Sequence, residues 1–322
     1  MTQPPNPPAA APARSAPAAA TDDVRTYYGT PVVKEPEWTW EVPWYLFAGG
    51  LGGASSVMAA AARRVGNDAL ADRAVLVAAG AAVASPVLLI ADLGRPRRFL
   101  NMLRVFKPTS AMSVGSWILA LYGGLASGAG ALRVLGWFPG LQRALEGAAA
   151  AFGPPMATYT AVLVADTSIP AWHEARGELP FTFAASAAAS AGAAGSLLVA
   201  PDDAAPARRL AVAAAAAELG ATRLMRRRLG ALGEVYEEGP AGALGKAAEV
   251  CTAAGGALVA AGGGARRGVR RWAGLAGAGL LLAGGICLRW AVYKAGFQSA
   301  ADPRHVVRPQ RERLAAAHRA PG

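Results

Sequence analysis

Ala111–Leu132, AMSVGSWILALYGGLASGAGAL, runs for 22 residues without one charged side chain. At about 1.5 Å per residue a helix of that length covers about 33 Å, enough to cross a bilayer core roughly 30 Å thick. Seven further apolar segments flank it: Val42–Ala62, Ala74–Ala91, Leu145–Ala165, Phe181–Ala200, Leu210–Leu224, Ala247–Gly262 and Trp272–Tyr293. Pro154-Pro155 interrupts the fourth in chain order. The sixth, Leu210–Leu224, is short, rich in alanine and carries Glu218, and the seventh is rich in glycine. The pattern predicts an all-α integral membrane protein of about eight transmembrane helices. Lipid supplies no hydrophobic drive between helices, so close packing rests on small residues. Gly49 and Gly53 in the first segment, and Gly124 and Gly128 in the third, have the spacing for it.

Composition supports the same reading. The chain is 53% hydrophobic and 16% charged, against about 25% charged in soluble domains. Its net charge is +11, from 32 Lys and Arg against 21 Asp and Glu. Those cations sit in short loops beside apolar blocks, as in Arg63-Arg64, Arg226-Arg227-Arg228 and Arg266-Arg267. Headgroups and the insertion machinery favour charge at such places, so membrane lipid is the expected partner and nucleic acid is not. Cys251 and Cys287 lie far apart and outside any CxxC run, which argues against an iron–sulfur cluster or structural zinc. Of three histidines, His305 and His318 lie in the polar C-terminal stretch and His173 lies in a loop. No helix interior supplies the facing pair that a membrane haem needs. Residues 1–24 read as a disordered Pro- and Ala-rich tail.

An even number of helices puts both ends of the chain on one side. Total loop charge favours that side as basic and charge density favours the other, so the positive-inside rule assigns no orientation. Polar residues gather on the N-terminal side in three stretches: Glu35–Tyr45, Ala91–Pro108 and Ala165–Arg176. In the second, Arg97, Arg98, Arg104 and Lys107 interleave with Phe99, Leu100, Leu103, Val105 and Phe106 in the manner of an interfacial helix. It could simply rest on headgroups, or Asp92 and Arg95 could pair there and shape the mouth of a pocket for a lipophilic ligand. Carboxylates at membrane depth point to function, which singles out Asp166 at the end of the fourth segment and Glu218 in the sixth. A structural pairing of Glu218 with Arg223 is the competing reading. Tyr159 could donate to a carbonyl ligand or be capped by a backbone carbonyl, and His173 could relay protons or be merely solvated.

Taken in order, YYGTPVVKEPEWTWEVPWYLFAGGLGG, ADLGRPRRFLNMLRVFKPTSAMSVGSW and YTAVLVADTSIPAWHEARGELPFTF resemble the NrfD family, the membrane subunits of polysulfide-reductase-type molybdoenzyme complexes. The similarity runs from about Tyr27 to Ala200. It implies two four-helix bundles, the first within residues 25–200, the second within 201–295, and a polar tail over 296–322. It further implies a multi-pass subunit of the cell membrane that is not catalytic alone and carries no haem or cluster of its own. Such a subunit binds a quinone, menaquinone or ubiquinone, near one membrane face. It docks a ferredoxin-like iron–sulfur subunit, itself joined to a molybdopterin oxidoreductase subunit. By motif position, quinone contacts fall to Tyr159, Arg95, Asp92, Trp40 and Tyr45, and proton transfer to Asp166, Glu41, Glu218 and His173. Arg97, Arg98, Arg104 and Lys107 are the expected docking cations. A transporter would instead line a path with the carboxylates, but Pro154-Pro155 has no counterpart in the second half to suggest the usual repeat. A purely structural anchor is the third reading.

Overall fold

The computed structural model describes residues 33–262 and 268–306. The tail, the first six residues of the resemblance, Arg266-Arg267 and His318 lie outside the described residues. Ten α-helices form within them: α1 (Glu41–Arg64), α2 (Asp68–Leu93), α3 (Pro96–Met102), α4 (Ala111–Leu135), α5 (Pro139–Ala165), α6 (Pro170–Glu174), α7 (Leu179–Leu198), α8 (Ala205–Leu229), α9 (Gly239–Gly262) and α10 (Val269–Ala301). Local chemistry sets their ends. The Asn67 side chain accepts from Leu70 N at 3.0 Å to start α2, and Ser110 caps α4 in the same way. Gly94 closes α2 with φ +68, a left-handed conformation that glycine adopts without strain. It turns the chain directly into the short interfacial α3.

The eight long helices correspond to the eight apolar segments, and seven are long and apolar enough to cross a membrane by length and composition. The other is α8. Arg208, Arg209, Glu218, Arg223 and Arg226–Arg228 lower its hydropathy, while Ala207, Ala211, Ala214 and Ala215 are buried. It is held by packing on α7, not by an apolar circumference. The seventh apolar segment, though glycine-rich, forms the full 24-residue α9.

Packing divides the long helices four and four. α1, α2, α4 and α5 form one bundle, α7 to α10 the other, and α7 packs on α1 as well as on α8. The boundary thus falls between α5 and α7, not at residue 200, and α10 continues to Ala301, past the expected end at 295. The interruption expected at Pro154-Pro155 does not occur. α5 is helical throughout, and Thr158 Oγ1 donates to the Pro154 carbonyl at 2.9 Å. Just before the prolines, Gly153 meets Gly53 of α1 backbone to backbone. A Cβ on either would come within 2.5 Å of the other's carbonyl oxygen. Gly49 packs in the same seam, but Gly124 faces open space, so only the first GxxxG works as a packing device.

The face opposite the prelude, residues 33–40 ahead of α1, is tied by ions. Arg63 bridges Asp68 at 2.7 Å, Asp72 at 2.9 Å and the buried Glu146 at 2.9 Å. Arg133 also pairs with Asp72, and Gln142 donates to Glu146. This staple joins α1, α2, α4 and α5 at their far ends.

Candidate functional site

The residues before α1 form a roof on the N-terminal side. Trp38 stacks on Trp172 of α6, ring centroids 5.0 Å apart, and its carbonyl accepts from Tyr293 Oη of α10 at 2.6 Å. Trp172 Nε1 in turn donates to the Val292 carbonyl at 2.7 Å, and Tyr236 Oη donates to the Ala171 carbonyl. The prelude and the α5–α7 connection are thereby fixed to the second bundle. Asp92 at the end of α2 fixes the same prelude to the first, accepting from Thr39 N at 3.0 Å and Thr39 Oγ1 at 2.7 Å. Thr39 Oγ1 also contacts the Glu41 carboxylate. One hydroxyl holds one proton, so it serves one carboxylate fully and the other only if that carboxyl is itself protonated.

Under this roof lies a cavity of about 60 Å³ between α1, α2, α4 and α5. Trp38, Val42, Tyr45, Leu46, Leu89, Asp92, Met102, Met112, Gly115 and Tyr159 are among its walls. The Tyr159 hydroxyl is buried and has no hydrogen-bond partner among the described residues. A buried polar group without a partner costs about 1–3 kcal/mol, so this donor calls for an explanation. Its ring lies flat against α4, where a Cβ on Gly115 would come 2.5 Å from the Tyr159 Cε2 atom. Glycine at 115 sets where that hydroxyl points. In this conformation the cavity has room for a few waters, each occupying about 30 Å³ of liquid. A ring-sized ligand would need more room than this, and Met102 and Met112 are the lining residues whose unbranched side chains rearrange most easily.

Of the residues singled out from sequence, Tyr159, Tyr45 and Asp92 line this cavity, and Glu41 joins it through Thr39. Trp40 does not. It is 60% exposed, and Trp38 takes its place. Arg95 caps α3 on the surface, and the expected pairing with Asp92 is absent because Asp92 is engaged by Thr39. Asp166 and His173 are exposed outside the cavity. Arg97, Arg98, Arg104 and Lys107 are exposed on and after α3, beside exposed Leu100, Val105 and Phe106. Outside the spans, Lys34 holds the Glu37 carboxyl below its usual range.

Glu218 lies elsewhere, in the core of the second bundle. Thr252 Oγ1 donates to it at 3.0 Å, so Thr252 of α9, and not Arg223, is its partner; Arg223 turns to Glu249. Facing it is a group the sequence reading passed over. Arg289 of α10 is 1% exposed, donates to the Phe183 carbonyl at 3.0 Å, and lays its guanidinium 3.7 Å from the Phe183 ring centre. The signal was present, since Arg289 is the one charged residue within Trp272–Tyr293. Trp38 and Trp172 were also missed, because aromatic residues in a connecting stretch carry no period that tells roof from surface, and so was Tyr293, which nothing in its apolar segment sets apart from the other aromatics of α10.

A family model described as polysulphide reductase, NrfD matches residues 33–204, just over half of the chain. The match covers the roof, the whole first bundle and α7. No curated protein matches the chain.

Proposed function

The chain belongs to the polysulphide reductase NrfD family, and from that premise we propose that it holds a quinone that exchanges electrons with a docked iron–sulfur subunit and protons with carboxylates or water on this chain's side. The observation that carries this reading is the buried, unpartnered Tyr159 hydroxyl in an apolar cavity that also holds Asp92. That is the equipment a quinone head group needs: flat apolar walls, a donor for a carbonyl oxygen and a nearby proton-holding carboxylate. The group bound there supplies two-electron, two-proton chemistry. Tyr159 donates to the oxygen on which negative charge develops. Asp92, with Thr39 and Glu41 behind it, is the carboxylate placed to pass protons at the edge of the site. Trp38 and Trp172 exclude bulk water.

The partner, in this reading, is a ferredoxin-like protein on the N-terminal side, joined to a molybdopterin oxidoreductase subunit. Exposed Arg97, Arg98, Arg104 and Lys107 meet its acidic residues and speed capture at low salt. Tyr159→Phe tests the site in membranes holding the whole complex. It keeps the ring and removes only a hydroxyl that has no partner in the fold, so assembly persists. Quinone-linked electron transfer should fall about 10–100-fold, equivalent to about 1.4–2.8 kcal/mol of transition-state stabilisation. Activity with an artificial acceptor should stay at the wild-type level. Wild-type quinone kinetics in the variant would remove Tyr159 from the site.

A further inference from the structure

On the far face, a groove of about 450 Å³ lies over α2, walled by the ends of α4 and α7. Its lining combines the charged Asp72, Arg73 and Arg133 with the apolar Leu76, Val134 and Leu198. The charges are unequal. Asp72 is taken up on both sides, by Arg63 and by Arg133. Arg73 is exposed and has no ion pair or hydrogen bond among the described residues. The groove therefore presents an unpaired guanidinium beside apolar side chains, at the ends of three helices long and apolar enough to cross a membrane.

The helix below Arg73 continues the pattern. Leu76, Gly80, Val83 and Val87 follow at helical spacing on the same side of α2. Val83 is 56% and Val87 62% exposed, and a Cβ on Gly80 would meet nothing within 4 Å. From Arg73 to Val87 is about 21 Å at 1.5 Å per residue, longer than the roughly 15 Å of one leaflet's hydrocarbon. A cation at headgroup depth above an open apolar track matches one molecule in both of its parts.

We propose that this groove binds a phospholipid with an anionic headgroup, its phosphodiester on Arg73 and Arg133 and one acyl chain along Leu76, Gly80 and Val83. Basic recesses between helices hold anionic headgroups by the same attraction. The bidentate fork of a guanidinium suits a phosphate better than an ammonium does. The occupant is a lipid and not a free anion, because six of the nine residues lining the groove are apolar and the exposed apolar track along α2 continues from it.

Native mass spectrometry of the detergent-purified full chain tests this, with phosphatidylglycerol and phosphatidylcholine as probes. Arg73→Gln changes an unpartnered surface residue and leaves the fold untouched. Arg64→Gln is the matched control, since Arg64 is equally exposed on the same face but outside the groove. The wild type should retain phosphatidylglycerol over phosphatidylcholine. Arg73→Gln should lower that retention about fivefold, the factor expected for one surface cation, with Arg64→Gln at the wild-type level. Three results would overturn the proposal: equal retention of the two lipids, equal loss in both variants, or displacement of the lipid by millimolar inorganic phosphate.

Discussion

Tyr159 and Gly115 make a pair in which one residue's chemistry depends on the other's lack of a side chain. Gly115→Ala places a methyl group against the tyrosine ring and should turn the hydroxyl away from the cavity. We expect quinone-linked turnover to fall about tenfold, with thermal stability in detergent lowered by about 1–3 kcal/mol, as overpacking usually costs. A wild-type rate in that variant would detach Tyr159's orientation from function. The buried charges of the second bundle behave differently. Glu218 and Arg289 are buried charges of opposite sign in one bundle, so removing one leaves the other less compensated. Arg289→Met and Glu218→Met should each lower the melting temperature, and the double variant should lose less than the two losses added. Strict additivity would show that they are not coupled. Sequence reading found Tyr159, Tyr45 and Asp92 because they sit in family motifs or at helix ends, where position nearly fixes direction. Trp40 was assigned by motif position alone, and motif position does not say which way a ring points. Helical backbone at residue 40 turns that ring outward, and nothing local announces the turn.

Among the elements, the prelude depends most on contacts distant in sequence. Asp92 on α2 and Tyr293 on α10 hold it from opposite bundles, so it closes the cavity only when both bundles are in place. Thr39→Val deletes the hydroxyl that joins Asp92 to Glu41 and keeps the shape. Each lost hydrogen bond is worth about 0.5–1.5 kcal/mol. Limited proteolysis between Val33 and Trp40 should accelerate several-fold while the helices stay protected, and an unchanged cleavage rate would show that the roof is not latched there. Helix existence was legible throughout, most directly where an apolar block matches the length a bilayer demands; the short block Leu210–Leu224 marks α8 all the same. Less legible were continuity and grouping. Two adjacent prolines suggested a broken α5, yet the helix runs through them and packs on α1 at the Gly53–Gly153 seam. The division into bundles was misplaced at residue 200, since α7 has small residues on both faces and its two sets of partners cannot be ranked from sequence.

Across the whole molecule the two membrane faces have different tasks. The far face is stapled by Arg63 and its three carboxylates. The near face carries the roofed cavity, the exposed cations and the aromatic stack. If those cations receive the partner, reversing two of them, Arg104→Glu with Lys107→Glu, should release the iron–sulfur subunit from membranes at moderate salt while the chain itself stays inserted. Retention of the partner at every ionic strength would place the dock elsewhere. The most direct test of the central claim is photolabelling of the intact complex with a quinone analogue carrying a reactive group on its ring. A second apolar recess of about 440 Å³, lined by Val57, Met58, Pro154 and Leu210, lies in the far half of the molecule and provides the contrast. Label on the α4 and α5 peptides that contain Met112 and Tyr159, suppressed by excess natural quinone, is the predicted result. Suppressible label confined to the recess around Met58 and Leu210 would contradict it.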